Sequence, residues 1–495
     1  MRPTLKWLLS AAPALLLFAG CAVGPDFKRP PVATDAGYPG AASDTTVTTT
    51  NLLGGDAQHF TPNGDISADW WTLFHSVPLN ELIECALTNN PDLKAAQAAL
   101  AMAHENVLAQ RGVYYPSVAA SFSASRQKQA GTIAPTPSSN DFQYNLFTPQ
   151  VSVSYSPDVF GANRRSVEAT KAAEQGVRFQ LIAAYTTLSA NVVVTAIQLA
   201  AVQTQLDATH QLIDLNSNMV EILRYQYAKG YASRLDLVAQ ESALAQTTAL
   251  LPPLVKQSAQ LRDLLAVLAG HFPNQGPAAA FDLASLQLPT ELPLSLPAQL
   301  VAQRPDVRQA EANLHAASAQ IGIAIANRLP NITLTANAGN TALALDQLFT
   351  SGTGFWGLGA AATAPLFQGG QLLHQERAAK AAYRQAAEQY RSTVLTAFQN
   401  VADTLVALAQ DAESLKAAAT AADDAKITLD LSRRQWQDGY ISYLTLLGAQ
   451  QAWQQARINL VQAQANRFAD TAALFQALGG GWWNQKSLAQ DTHEK

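Results

Sequence analysis

The chain has 495 residues and a formal net charge of −5. Charged residues make up only 14% of it, against roughly 25% in ordinary soluble domains, and the acidic balance gives nucleic acid no footing as a partner. Ala and Gln are abundant and there are three Met, a composition suited to long helices packed through small side chains rather than to an ordinary enzyme core.

The first residues read MRPTLKWLLSAAPALLLFAGCAVGPDF. Arg2 and Lys6 precede an apolar run from Trp7 to Phe18 that is too short to span a bilayer, so residues 1–20 are expected to be a secretory signal peptide. Small residues directly before Cys21 resemble a lipoprotein signal, although Phe18 stands where Leu is more usual. That resemblance makes Cys21 the acylated first residue of the mature chain, and Ala22 rather than Asp after it implies delivery to the outer membrane; otherwise Cys21 is a chance residue behind a plain signal. Cys85 is the one other thiol, expected to be a small, buried, apolar residue. Residues 21–65, rich in Pro, Gly and Thr, read as a lipidated N-terminal tether.

The body then repeats itself. NNPDLKAAQAAL at Asn89 matches QRPDVRQAEANL at Gln303, with Pro91 and Pro305 offset by 305 − 91 = 214. Pro116 and Pro330 give 330 − 116 = 214, Phe160 and Phe367 give 367 − 160 = 207, and Gly230 and Gly439 give 439 − 230 = 209. The expected organisation is a first repeat over 66–270, a linker over 271–296, a second repeat over 297–480 and a tail over 481–495. Each repeat opens with a helix, Leu79 to Arg111 in the first. Two alternating segments follow. Val118, Ala120, Phe122 and Ala124 alternate with small polar residues, as do Val151, Val153 and Tyr155, then Ile332, Leu334, Ala336 and Ala338, with a Gly-rich partner from Phe355. Period two over nine to ten uncharged residues describes bilayer-crossing strands. Next come long helical tracts, Arg164 to Lys229 and Gln371 to Asp438, with narrow apolar seams such as Leu188, Val192, Leu199, Val202, Leu206 and Ile213. Return helices run from Ala232 to Gly270 and from Ser442 to Leu478.

Two strands per repeat cannot close a barrel, and an open edge in hydrocarbon leaves backbone groups unpaired at several kcal/mol each. The chain is therefore expected to oligomerise, with two, three or four copies giving an even strand number. Polar inner faces favour a barrel large enough to hold water.

WWTLFHSVPLNELIECALTNNPDL at Trp70, QRPDVRQAEANL, the two aromatic-x-x-Gly turns, QALGGGW near the end and CAVGPDF at the start together resemble the TolC-like outer membrane factor family, in its lipoprotein branch. The resemblance covers nearly the whole mature chain. It implies a membrane α+β fold: a homotrimer with a twelve-stranded outer-membrane β-barrel continued by a twelve-helix periplasmic α-barrel. It implies no catalysis and no cofactor beyond the covalent lipid. The implied role is a passive exit duct for small toxic compounds, docked on a periplasmic adaptor and an inner-membrane efflux transporter. Type I protein secretion is an alternative within the same family, and a lipid-anchored helical scaffold without a pore is one outside it.

Other motifs carry little. GTGFWG at Gly352 opens a strand-like segment instead of a helix, so it does not fit a dinucleotide site. The eight His are scattered singly and no nucleophile elbow occurs, so neither a metal site nor a catalytic group stands out. The turns at Gly230 and Gly439 suit helix reversal, capped by Ser233 and Ser442. A plain hairpin loop accounts for them; the resemblance implies a periplasmic gate. Its aromatic falls on Tyr227 and Trp436, and its first acid on Asp236. In the second repeat Thr445 and Gly448 replace the expected acids, and Asp430 is a candidate lumen acid.

Overall fold

The computed structural model describes residues 22–31, 45–128, 143–276, 281–294 and 297–485. Cys21 and the leader lie outside them. The chain forms two compact units, one of residues 1–29, 100–176 and 310–390 and the other of 30–99, 177–309 and 391–495.

The first unit holds a four-stranded antiparallel sheet in the order β2-β3-β5-β6, built from β2 (Ser117–Lys128), β3 (Gln143–Tyr155), β5 (Asn331–Asn340) and β6 (Gly354–Thr363). Its register aligns the sequence alternation into two different faces. Ala120 lies opposite Val151, Val151 opposite Ala338, and Ala338 opposite Trp356. One residue along, Ala119, Ser152, Asn337 and Gly357 form a polar or small row in the same way. Because side chains alternate across a strand, a slip of one residue would exchange these faces, and the apolar rows fix the register. Trp356 and Leu358 on the apolar face remain 77% and 78% exposed, so nothing among the described residues covers them. The outer edges of β2 and β6 pair with no other strand among the described residues.

The second unit is wound from helices and a two-stranded parallel sheet, β1 (His59–Pro62) against β4 (Glu291–Leu294). The expected opening helix is in fact two, α1 (Val77–Asn89) and α2 (Pro91–Arg111). Pro91 lacks the N–H that would continue the ladder and disfavours helical backbone at Asn90, whose Oδ1 instead accepts from the amides of Asp92 and Leu93 at 2.9 and 3.0 Å. The second repeat breaks alike at Pro305, between α6 (Pro297–Gln303) and α7 (Pro305–Ala326). The first return helix also differs from expectation, splitting at Leu250 into α4 (Arg234–Ala249) and α5 (Leu251–Leu268); Pro252 and Pro253 remove two successive donors there. Its counterpart α9 (Tyr443–Ala477) runs unbroken for 35 residues.

The long helices are α3 (Ala162–Ala228) and α8 (Gln371–Gln437), 67 residues each, or about 100 Å apiece at the usual rise. Leu188, Val192, Leu199, Val202 and Leu206 of the expected seam are buried. Between Leu181 and Val202 the burial is wider than a seam, reaching Ser189, Thr195 and Ala200 on other faces. The reason lies in what wraps this stretch of α3. Phe179 meets Trp482 edge-on at 5.9 Å, and Tyr185, hydrogen-bonded to Gln485, is pushed by burial to a pKa of about 12.

The core of this unit stacks Trp70 on Phe475 with ring centroids 5.2 Å apart. Beside it Arg467 of α9 is fully buried. Its Nη2 donates to Thr46 Oγ1 at 3.0 Å and to the Asp56 carbonyl at 2.6 Å. Burial pushes its pKa down against the pull of Asp411 and Asp56. Asp411 of α8 is pushed up to about 7, by burial first and by the neighbouring Asp470 second, with Arg467 opposing. A carboxyl whose folded pKa lies above its unfolded value binds its proton more tightly in the fold, so stability falls as pH rises from about 4 through 7. Replacing Asp411→Asn is therefore expected to raise the melting temperature relative to the parent at pH 8 and to change it little at pH 5; an equal shift at both pH values would count against a titrating Asp411.

Candidate functional site

The two glycine turns lie in the second unit and are built alike. Gly230 and Gly439 have φ of +75° and +79°, and a Cβ at either would meet nothing within 4 Å. Only the backbone conformation requires glycine there. After α3, the amide of Gly230 donates to the Tyr227 carbonyl at 3.0 Å and that of Tyr231 to Gln226 at 2.8 Å. After α8, Gly439 donates to Trp436 at 3.0 Å and Tyr440 to Gln435 at 2.8 Å. This pair of bonds terminates a helix by satisfying carbonyls that the ladder leaves open.

The next helices begin differently. Ser233 Oγ accepts from the Asp236 amide at 3.1 Å, while Asp236 Oδ2 accepts from the Ser233 amide at 3.3 Å and its hydroxyl at 2.6 Å. That reciprocal cap holds the Asp236 carboxylate to its own turn. In the second copy Ser442 Oγ accepts from the Thr445 amide at 3.3 Å and lies 3.0 Å from its hydroxyl. Thr445 thus takes the capping position of Asp236 without its charge.

Between the turns lies a small core of Leu223, Leu429, Tyr443, Leu446 and Ala449, with Trp436 packed against it. Trp436 meets Tyr443 edge-on at 5.7 Å. Tyr227, by contrast, is 44% exposed, and Asp430 and Gly448 lie on exposed helix positions. The sequence-read set is therefore only partly assembled: Trp436 joins the core, Asp236 and Thr445 cap their helices, and Tyr227, Asp430 and Gly448 remain outside it. Cys21 lies outside the described residues.

Sequence reasoning missed the polar chain through this core. The Tyr443 hydroxyl donates to Gln240 Oε1. Gln240 Nε2 donates to the carbonyl and Oδ1 of Asn216 at 3.1 and 3.0 Å, and Asn216 Nδ2 donates to Thr247 Oγ1 at 3.1 Å. All four residues are buried, and the chain ties α3 and α4 to α9. Burial pushes the Tyr443 phenol pKa up, and Asp236 adds to it. The available signal was polar side chains at the spacing of a buried seam, which periodicity counted as breaks in the stripe.

The first unit contains a second constructed site, where the segment after Cys21 is seated. The Val23 amide donates to the Phe160 carbonyl at 3.0 Å. A Cβ at Gly161, which has φ of +82°, would come within 2.6 Å of Ala22 Cα. Arg165, buried, pairs with Asp26 and Glu168 at 2.7 Å each, and Phe27 stacks on His315 with centroids 4.4 Å apart. Arg29 grips Glu311 with two bonds of 2.8 and 2.9 Å. Ala22 is thereby held beside the turn that follows β3.

A strand sheet with one bare apolar face, together with paired helical hairpins, defines a membrane-embedded protein of mixed α and β structure. The family model of the outer membrane efflux protein matches residues 82–271 and 296–480. The toluene efflux pump outer membrane protein TtgF of Pseudomonas putida is 30% identical over 490 residues, covering 95% of this chain and 96% of its own. The antibiotic efflux pump outer membrane protein ArpC of Pseudomonas putida is 30% identical over 491 residues, covering 98% and 97%. The solved outer-membrane channel OprN superposes with a TM-score of 0.83 at 25% identity, covering 93% of this chain and all of that one. The chain belongs to the outer membrane efflux protein family, and is an outer-membrane protein of an efflux system.

The Tyr443 bond generates a direct test. Tyr443→Phe leaves Gln240 Oε1 buried without its donor, at a cost of about 1–3 kcal/mol. Hydrogen exchange is expected to quicken at the start of α9 and in α4 while the sheet is unaffected; unchanged exchange at both helices would show that the network does not hold the hairpins.

Proposed function

We propose that the chain is the passive exit duct of a tripartite efflux pump, carrying small toxic compounds across the outer membrane with a periplasmic adaptor and an inner-membrane transporter. The observation that carries this reading is the four-stranded sheet with one bare apolar face and two unpaired edges. Backbone groups on such edges demand partners within hydrocarbon, and further copies of the same sheet supply them. Three copies give a twelve-stranded barrel, and their long and return helices a twelve-helix tube. The polar strand faces then line the lumen.

The internal duplication is supported by the recurrence of one element order and by the two separate stretches of the family match. On this reading the repeats are 66–270 and 297–480. The turns at Gly230 and Gly439 are the periplasmic tips, where Tyr227 and Trp436 supply aromatics and Asp236 the remaining acid of the gate. Gly448 and Thr445 leave the second tip without one, and Asp430 faces the lumen as an acid. Cys21 carries the lipid: the seating of Ala22 beside the turn after β3 supports an anchor close to the strands. The cargoes named for the relatives, toluene and antibiotics, favour small molecules over proteins as cargo.

Purified protein in planar lipid bilayers is expected to form ion-conducting pores, and Trp436→Ala combined with Asp236→Ala to raise their single-channel conductance. Absence of pores refutes the duct. Pores whose conductance ignores the double substitution refute the gate at these residues. Mass spectrometry of the same preparation is expected to find acyl chains on Cys21, and an unmodified N-terminal peptide would refute the anchor.

A further inference from the structure

Near the two turns, the second unit contains a partly open cavity of about 290 Å³ lined by residues of α3, α4, α8 and α9. A difference between the two copies borders it. The return helix of the first copy breaks at Leu250, ahead of Pro252 and Pro253, and Leu250 lines the cavity, whereas α9 continues unbroken and contributes Trp453. The cavity thus lies where one return helix is interrupted and the other is not.

The lining has a definite chemistry. Leu212, Leu447 and Trp453 make apolar walls, and Arg433 is the one charged residue among those that line the space. Arg433 has no ion pair among the described residues, and no acid lines the cavity to neutralise it. Gln450 Oε1 is buried and lacks a hydrogen-bond partner. The Trp453 ring is itself braced, with the Arg457 guanidinium 5.1 Å from its centroid. Leucines and Trp453 share the lining with amide side chains, Gln450 and Gln454 among them, and the volume lies at the lower edge of the ~300–1,000 Å³ usual for small-molecule sites.

We propose that this cavity binds a small aromatic acid, its ring against Trp453 and the leucines and its carboxylate paired with Arg433. Such an occupant touches all four helices, so it stabilises their present arrangement over any in which the hairpins have separated. The site does not depend on the reading of the chain as a duct, because binding is measured without transport.

The probe is 2-naphthoate, compared with 2-naphthylmethylammonium, which has a similar ring and the opposite charge. Isothermal titration against the full-length protein in detergent, with a protein-free micelle blank, is expected to show saturable binding of the naphthoate alone, accompanied by a rise in melting temperature. Arg433→Gln is expected to weaken that binding about tenfold, the value of one lost charge-assisted bond. Leu447→Trp, which fills the space with a side chain of larger volume, is expected to abolish it. Equal binding of the two probes, or naphthoate binding unchanged in both variants, would overturn the proposal. Because Arg433 has no partner to lose, its variant should melt at the parental temperature without ligand; the comparison then reads binding and not misfolding.

Discussion

The structure depends on what becomes of the backbone groups along the outer edges of β2 and β6. In water an unpaired edge is tolerable, but Trp356, Leu358, Phe122 and Val118 make an exposed apolar face beside these edges, and if that face meets lipid, water cannot serve the edge groups. Four strands are too few to curl back on themselves, so on the proposed reading the requirement passes to further copies of the chain. On the proposed reading, oligomerisation is the condition of placing this sheet in a membrane. The small and polar rows on the other face, Ser152 and Asn337 among them, suit a wall that encloses water.

The helices answer a different constraint. A 67-residue helix cannot be stabilised by propensity alone and needs packing along its length. In α3 that packing is supplied by the aromatic collar of Phe179, Tyr185 and Trp482 and, further along, by the core around Leu223 and Tyr443. Where the chain must turn, it closes the helix on glycine and opens the next on serine, twice over. The copies then diverge in detail. The first has an acid in its cap and a double proline in its return helix, and the second has neither. The acid sets the local charge of one turn only, and the prolines follow the break at Leu250, which lines the cavity with Trp453.

Much of this was legible in the sequence because it rests on local rules. The strand alternation predicted both faces and the register confirmed them residue by residue. The turns at Gly230 and Gly439 and their serine caps followed from the chemistry of helix ends. The helix breaks at Pro91, Pro305 and Pro252 went unread, although the signal was present: the periodic apolar pattern continued past each proline and concealed it. What the sequence could not disclose is set by contacts between distant segments. Examples are Arg467 buried against Thr46 and Asp56, and the bond from Tyr443 to Gln240, 203 positions apart. The family resemblance made Asp236 a candidate gate acid, whereas the structure shows its carboxylate in a helix cap, a role that charge pattern alone does not separate from lumen lining.

The central claim is that the free edges of the sheet are closed by other copies of the chain. Disulfide mapping tests it most directly: with Cys85 replaced by Ala, single cysteines placed along β2 are combined one at a time with Leu358→Cys on β6, and each protein is oxidised in the membrane. The account predicts that some of these pairs link chains to one another and yield a covalent trimer as the largest species. Linkage confined within single chains, or none at any pair, would contradict it.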